Sequence, residues 1–398
     1  MPAETDVLTL TLKPKEEDRL FAGHLWAFSN ELKEVPKVEP GGLAVLKTAG
    51  GALVGTGFYN PHSLISFRLL SRGLTDAGEE FFYERLQAAN ALREARLGGE
   101  RSYRLCFGES DNLPGLVVDR YEDVLVLQVL AAGMEKRLDA VLNALERLLK
   151  PKGIYLKNDH PARVLEGLKA ETRTARGEVP DRLTLSVDGL QYAVAVGGGS
   201  QKTGFYFDQR ENRAFLAPYF KGRTVLDLFC FSGSFSLTAA KNGALETLGL
   251  DSSGPAVELA RESAKLNGLH ETCEFDEGDA GEVLESFASG AQTTQPDFIL
   301  LDPPSFVHSR KHLPSALRAY AKLNAAAMKC LPRGGLLATS TCSHHVGRKD
   351  FMDMLRSAGM KARRSFRVLS VRGQAQDHPV LLAMPETEYL HFALLEAV

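Results

Sequence analysis

Four acidic residues end or follow four successive strand-like runs: Asp227 in VLDLFCFSGSF, Asp251 in LGLDSS, Asp279 in DEGDA and Asp302 in LLDPPSF. Their intervals of 24, 28 and 23 residues each fit one strand-turn-helix unit, so the four carboxylates converge along one edge of a sheet. Any one of them alone reads equally well as a helix cap or a solvated turn. Four in phase point to a ligand. Between the first two lies a small-residue turn that opens a helix, with Phe229, Ser232 and Gly233 placed to let backbone approach that ligand closely. The turn holds a single glycine and departs from G-x-G-x-x-G, which disfavours a pyrophosphate cofactor such as NAD. A ribose without phosphates fits better: Asp251 can accept from its hydroxyls and Asp279 can read an adenine amino group. A sulfonium such as that of S-adenosylmethionine suits a ring of carboxylates, whereas ATP would call for lysine or a metal. No metal is expected.

The elements that must position these groups follow from the rhythm of the chain. From residue 186 onward, strand-like runs (TVLDLFC, TLGLD, CEFDEGD, DFILLD, GGLLATSTC) alternate with helical ones (GPAVELARESAKLNGL, ALRAYAKLNAAAMKCL). That alternation predicts an α/β fold with a doubly wound, mostly parallel sheet of Rossmann type, whose ligands sit at the carboxyl ends of the strands. Residues 1–75 instead read as short alternating segments punctuated by Gly and Pro, a small β domain. Residues 76–185 read as a helix over EEFFYERLQAANALREARL, a hairpin split at Tyr121-Glu122-Asp123, one helix over MEKRLDAVLNALERLLK stopped by Pro151, and the strand GIYLKND, together a compact α+β unit. Three domains of 1–75, 76–185 and 186–398 are expected.

The 398 residues carry 47 Lys and Arg against 50 Asp and Glu, a net charge of −3, which excludes a uniformly basic nucleic-acid coat but not a local basic face. Five scattered cysteines (Cys106, Cys230, Cys273, Cys330 and Cys342) offer neither a zinc pair nor a disulfide framework. The opening residues lack a secretory pattern and no apolar run approaches a membrane span, so a cytoplasmic protein without a membrane partner is expected.

On these motifs the sequence resembles the class I S-adenosylmethionine methyltransferases, with Asp302-Pro303-Pro304-Ser305-Phe306 like their substrate-facing fourth motif. QKTGFYFDQR (201–210), TCSHH (341–345) and DHPVLLAMPETEYL (377–390) are similar to the bacterial 23S rRNA cytosine-C5 methyltransferase I family. GHLWAFSNEL (23–32) resembles the start of that family's RNA-binding PUA domain, and GESDNLPGLVVDRY (108–121) its middle domain.

The resemblance implies S-adenosylmethionine as cofactor and RNA, 23S rRNA above all, as substrate, and it leaves a homodimer open. Cytosine C5 is a poor nucleophile until a thiolate adds to C6, and the resemblance makes Cys342 that thiol. A lone cysteine at a strand end is more often a small packing residue. His344 and His345 either lower its pKa or are merely solvated.

Asp302 would orient the base by its N3 or amino edge, beside Pro303, with Phe306 on the ring. Some relatives carry a second cysteine after the two prolines, where this chain has Ser305. The resemblance assigns no residue to removal of the C5 proton. Phe207, Asp208 and Gln209 would line the methionine end of the cofactor, with Lys202 near its carboxylate or near RNA; Asp227, Phe229, Ser232, Gly233, Asp251, Asp279 and Asp302 complete the expected cofactor site. Two basic stretches beside the proposed site, HSRKH (Arg310, Lys311) and KARRSFRVLSVRG (Arg363, Arg364), are expected to meet phosphates, although such runs are more often solvated faces. Because the D-P-P-aromatic element also serves amino-methyltransferases, methylation of a guanine or adenine nitrogen, or of tRNA, is the alternative.

Overall fold

The computed structural model describes residues 7–197, 204–289, 295–307 and 310–398. The chain folds as two compact units: Met1–Leu183 with Ala195–Phe205 and Asp377–Thr387, and Thr184–Val194 with Tyr206–Gln376 and Glu388–Val398.

In the first unit, the strands Leu8–Thr11, Gly42–Lys47, Leu53–Tyr59, Phe67–Ser71 and Trp26–Ala27 form one sheet in that order. Its strands press close at Gly57, where an added Cβ would lie 2.2 Å from the Arg68 carbonyl oxygen, so only glycine fits there. A second sheet runs in the order Glu171–Gly177, Gly153–Asn158, Val124–Val129, Leu116–Tyr121, Ser102–Phe107. The helices Glu79–Leu97 and Leu138–Leu149 supply Phe82, Leu86, Val141 and Leu145 to its core. The expected single helix over MEKRLDAVLNALERLLK breaks at Lys136–Arg137 into Ala132–Glu135 and Leu138–Leu149; Arg137 leaves helical geometry with its guanidinium 5.8 Å from the Phe58 ring. Glu171–Gly177 passed unnoticed in the sequence because an exposed edge strand has no apolar face to reveal it.

Residues 377–387, within the stretch assigned by sequence to the C-terminal domain, pack with the first unit. Met384 is buried in the core of the N-terminal sheet, Arg93 Nη2 donates to the Asp377 carbonyl (2.8 Å), and the Arg104 amide donates to Asp377 Oδ2 (3.1 Å).

The second unit is built on a seven-stranded sheet: β1 Thr224–Leu228, β2 Glu246–Asp251, β3 Cys273–Glu277, β4 Phe298–Leu301, β5 Leu336–Thr341, β6 Phe366–Arg372 and β7 His391–Ala397. Their order is β3-β2-β1-β4-β5-β7-β6, with the first five parallel and β7 antiparallel to both neighbours. The helices are α1 Arg210–Leu216, α2 Ser234–Lys241, α3 Gly254–Leu266, α4 Ala280–Ala288, α5 Leu313–Cys330 and α6 Arg348–Ala362.

Strand alternation divides the core in two. Val225, Phe298, Leu300, Leu336 and Ala338 meet α1 and α2, while Leu226, Leu228, Ile299, Leu301 and Leu337 meet α4, α5 and α6. The α/β architecture with a mostly parallel sheet is as expected. The antiparallel pair β6–β7 is an addition: β6, with Arg367 and Arg372, reads in the sequence as part of a basic run, while β7 is buried almost throughout.

Candidate active site

The turn after β1 is tightly constrained. Phe229 (φ 66°), Phe231 (φ 49°) and Gly233 (φ 78°) all sit in the left-handed region, which costs a bulky residue on the order of 1–3 kcal/mol. Neighbouring groups hold the turn there. The Cys230 amide donates to the Leu250 carbonyl (2.9 Å), the Phe231 amide to Asp251 Oδ2 (3.0 Å), and the Gly233 amide to the Cys230 carbonyl (2.8 Å). Asp251 accepts a second amide, from Ser253, on Oδ1 (2.9 Å). Gly233 has no room for a side chain, since a Cβ would fall 2.7 Å from the Phe275 ring. Ser232 is buried within the same turn.

Asp227 lies beneath this turn, 1% exposed. Its Oδ2 accepts from the Ser236 amide (3.0 Å) and the Ser236 hydroxyl (2.7 Å), which ties β1 to the start of α2. Its Oδ1 is buried with no partner among the described residues. Burial pushes its pKa up to about 7; the Ser236 bonds oppose that rise, and the Asp302 and Asp251 carboxylates add to it. Asp279 differs: it is exposed and caps α4, accepting from the Gly281 (2.8 Å) and Glu282 (3.0 Å) amides on Oδ1.

The segment before α1 reaches the same turn, with the Tyr206 ring edge-on to Phe231 at 4.9 Å. Phe207, Asp208 and Gln209 follow in a tight turn and are all buried. Asp208 Oδ2 accepts from the Tyr389 hydroxyl (2.6 Å), Gln209 Oε1 accepts from Asn212 Nδ2 (2.7 Å), and Gln209 Nε2 is buried with no partner among the described residues. Lys202 lies outside the described residues.

One step along the sheet, Leu301 pairs with Thr339, which sets Asp302 beside Ser340 on the neighbouring parallel strand, roughly 4.8 Å away. The Ser340 hydroxyl donates to Asp302 Oδ1. Cys342 comes two residues after Ser340. It is partly exposed, whereas Cys106, Cys230, Cys273 and Cys330 are buried. Burial holds the Cys106 and Cys230 thiols well above their usual range and pushes Cys273 and Cys330 up to about 11, so none of the four ionises near neutral pH. His344 and His345 are both exposed, and the His344 ring lies 5.1 Å from Tyr389.

The loop after β4 turns toward α5. Pro303 is buried, and the half-buried Phe306 stacks on Tyr320 of α5 with ring centroids 4.5 Å apart and planes at 30°. The Tyr320 hydroxyl donates to the Pro304 carbonyl (3.1 Å) and accepts from the Phe306 amide (3.1 Å). Burial raises the phenol above its usual range; the Thr341 hydroxyl and the Phe306 amide oppose that rise, and Cys342 and Asp302 add to it.

Arg310 and Lys311 are exposed in a short turn just ahead of α5, on this same edge. Arg363 and Arg364 are not, and the expectation that they flank the site is corrected. Helix α6 starts after Cys342 and over 15 residues carries the chain about 22 Å to the opposite edge of the sheet. There Phe366 pairs with the end of β7 at Ala397, and the Arg364 guanidinium donates to the Met328 (3.1 Å) and Leu331 carbonyls at the end of α5.

The structure therefore brings Asp227, Phe229, Ser232, Gly233, Asp251, Asp302 and Cys342 to one edge, joined to Phe207 and its neighbours through Tyr206. The sequence reading missed Ser236, Ser340, Tyr320 and Tyr389. Ser340 carried a signal: it stands near the end of β5, two residues before Cys342. Among the described residues no cluster of His, Cys, Asp and Glu could hold a metal ion, and no helix is long and apolar enough to cross a membrane.

Comparison with known proteins adds the following. The PUA-like domain family matches residues 10–72, and the S-adenosylmethionine-dependent methyltransferase family matches residues 105–359. The chain is 36% identical over 390 residues to the ribosomal RNA large subunit methyltransferase I of Shewanella denitrificans, covering 96% of this chain and 98% of that protein. It is 36% identical over 381 residues to the protein of the same name from Photobacterium profundum, covering 94% and 95%. A solved structure from Streptococcus mutans shares the fold with a TM-score of 0.84 at 21% identity, covering 98% of this chain and 100% of that one.

Proposed function

Because this chain belongs to the ribosomal RNA large subunit methyltransferase I family and carries a PUA-like and an S-adenosylmethionine-dependent methyltransferase domain, we propose that it methylates C5 of a cytosine in 23S rRNA through a covalent bond from Cys342 to C6. On this reading residues 1–75 are an RNA-binding domain of PUA type, 76–185 a connector and 186–398 the catalytic domain, interrupted by the 377–387 excursion.

The edge suits the cofactor. Asp227 Oδ1 and Gln209 Nε2 are buried polar atoms lacking partners among the described residues, one an acceptor and one a donor. Asp251, Phe229, Ser232 and Gly233 would hold the nucleoside, Asp279 the adenine through its remaining oxygen, and Phe207, Asp208 and Gln209 the methionine end. S-adenosylmethionine supplies an electrophilic methyl group on a positively charged sulfur.

The protein's own groups do the rest. Cys342 adds to C6 as thiolate and pushes electron density onto C5; once C5 is alkylated, loss of its proton expels the thiolate and restores the ring. Asp302, held by Ser340, fixes the base by its N3 or amino edge, and Pro303 and Phe306 wall the pocket. Arg310 and Lys311 contact phosphates.

The carrying observation is that Cys342, alone among the five cysteines in being partly exposed, stands two residues from the serine that holds Asp302. RNA containing 5-fluorocytosine tests the reading, because fluorine at C5 cannot leave as a proton. With labelled cofactor the wild type should form a stable adduct mapped to Cys342. Cys342→Ala should form none and lose on the order of 10³-fold or more in turnover. Methyl transfer to a guanine or adenine nitrogen that survives Cys342→Ala would overturn it.

A further inference from the structure

Tyr320 is fully buried in an 18-residue helix, yet its hydroxyl both donates to and accepts from a neighbouring loop, beside the Thr341 side chain. The loop needs both bonds. Pro303 and Pro304 bring no backbone N–H, so the segment between Asp302 and Phe306 cannot close on a ladder of its own. The phenol bridges Pro304 and Phe306, donating 3.1 Å to the carbonyl of one and accepting 3.1 Å from the amide of the other, on either side of Ser305. The same ring stacks on the half-buried Phe306 with centroids 4.5 Å apart. If Tyr320 only filled the core, phenylalanine would serve equally well and the buried hydroxyl would need no special placement.

We infer that Tyr320 is a positioning residue that presets the Pro304–Phe306 loop, so that Phe306 is in place before the target base arrives. The inference rests on the proposed reading that this loop faces the base. Without the two bonds the loop samples other conformations, and apparent RNA affinity falls by the fraction of molecules still competent. Once RNA saturates the enzyme, the correct conformation is restored and the chemical step proceeds as before.

Tyr320→Phe keeps the ring and the stack and removes the bridge. KM for RNA should rise about tenfold, while kcat and S-adenosylmethionine affinity each stay within about twofold, for the removal of two ordinary hydrogen bonds. In a Phe306→Ala background the same substitution should add little, because the two residues act as one unit. The inference is overturned if KM for RNA is unchanged, if kcat, KM and cofactor affinity all decline together with thermal stability, or if the effects of the two substitutions simply add. Mass spectrometry of the wild-type product separates the two claims. A methylated base other than 5-methylcytosine removes the proposed function, whereas the KM split tests Tyr320 on whichever base is methylated.

Discussion

Glu166 in the first unit and Asp227 in the second are both buried carboxylates, and they are partnered in opposite ways. Each Glu166 oxygen takes two donors: Ser63 Oγ (2.9 Å) and Arg68 Nη2 (3.0 Å) on one, Asn60 Nδ2 (2.9 Å) and the Ala132 amide (3.2 Å) on the other. Asp227 has both its donors on one oxygen, from a single serine, and none among the described residues on the other. A carboxylate that only holds structure together is saturated by the fold. Asp227, proposed as a cofactor contact, is left short of donors, and its proton is retained to higher pH.

The largest effect should come from emptying the saturated site. Glu166→Ala takes the acceptor from Ser63, Asn60 and the Ala132 amide and leaves Arg68 with Glu109 as its remaining carboxylate (3.2 Å), a loss of about 2–4 kcal/mol. A lowered denaturant midpoint should register it, with S-adenosylmethionine affinity unaltered in the protein that remains folded. If the midpoint held, the carboxylate would not be structural.

Asp227→Asn probes the other side. In the folded protein the carboxyl keeps its proton to about pH 7 rather than the ordinary 3.8, so its contribution to stability is complete below about pH 4 and is lost as the pH rises through 7. An asparagine cannot ionise, so the decline in cofactor-free stability between about pH 4 and 7 should flatten, as thermal melts across that range would show. Cofactor affinity should fall about tenfold, as expected when one charge-assisted hydrogen bond to the ligand is removed. A wild-type melting curve already flat over that interval would contradict the account of Asp227.

The smallest effects separate two pairs of basic residues. Replacing Arg310 and Lys311 with alanine should weaken RNA binding a few-fold and reduce the slope of log affinity against log salt by about 1–2. Arg364→Ala should leave that slope alone and cost about 1 kcal/mol of stability, because its partners are carbonyls at the end of α5. Equal slopes for the two variants would erase the distinction drawn between the edges of the sheet.

Much of the second unit was legible in its sequence. Asp227, Asp251, Asp279 and Asp302 stand at the ends of successive parallel strands, and that edge of an α/β sheet is where ligands bind. The basic run at 361–373 was legible as charge and illegible as place, because a helix of four turns reverses which edge its two ends meet. The stretch 377–387 was legible as a motif, but its packing partners, Arg93 and the N-terminal core, lie almost 300 residues earlier in the chain.

The sequence by itself determined the periodicities, and with them the α/β class, the phased acidic residues and the cysteine that follows β5. Those are local properties, set by the alternation of side chains along strands and the spacing of apolar residues along helices. Tertiary structure alone decided which polar groups were already partnered. Ser236 claims one oxygen of Asp227, Ser340 secures Asp302, Tyr320 bridges Pro304 and Phe306, and the remaining four cysteines are buried. Each of these depends on close approach between separate elements of the fold, and hydrogen bonding and desolvation act through that distance rather than through position along the chain.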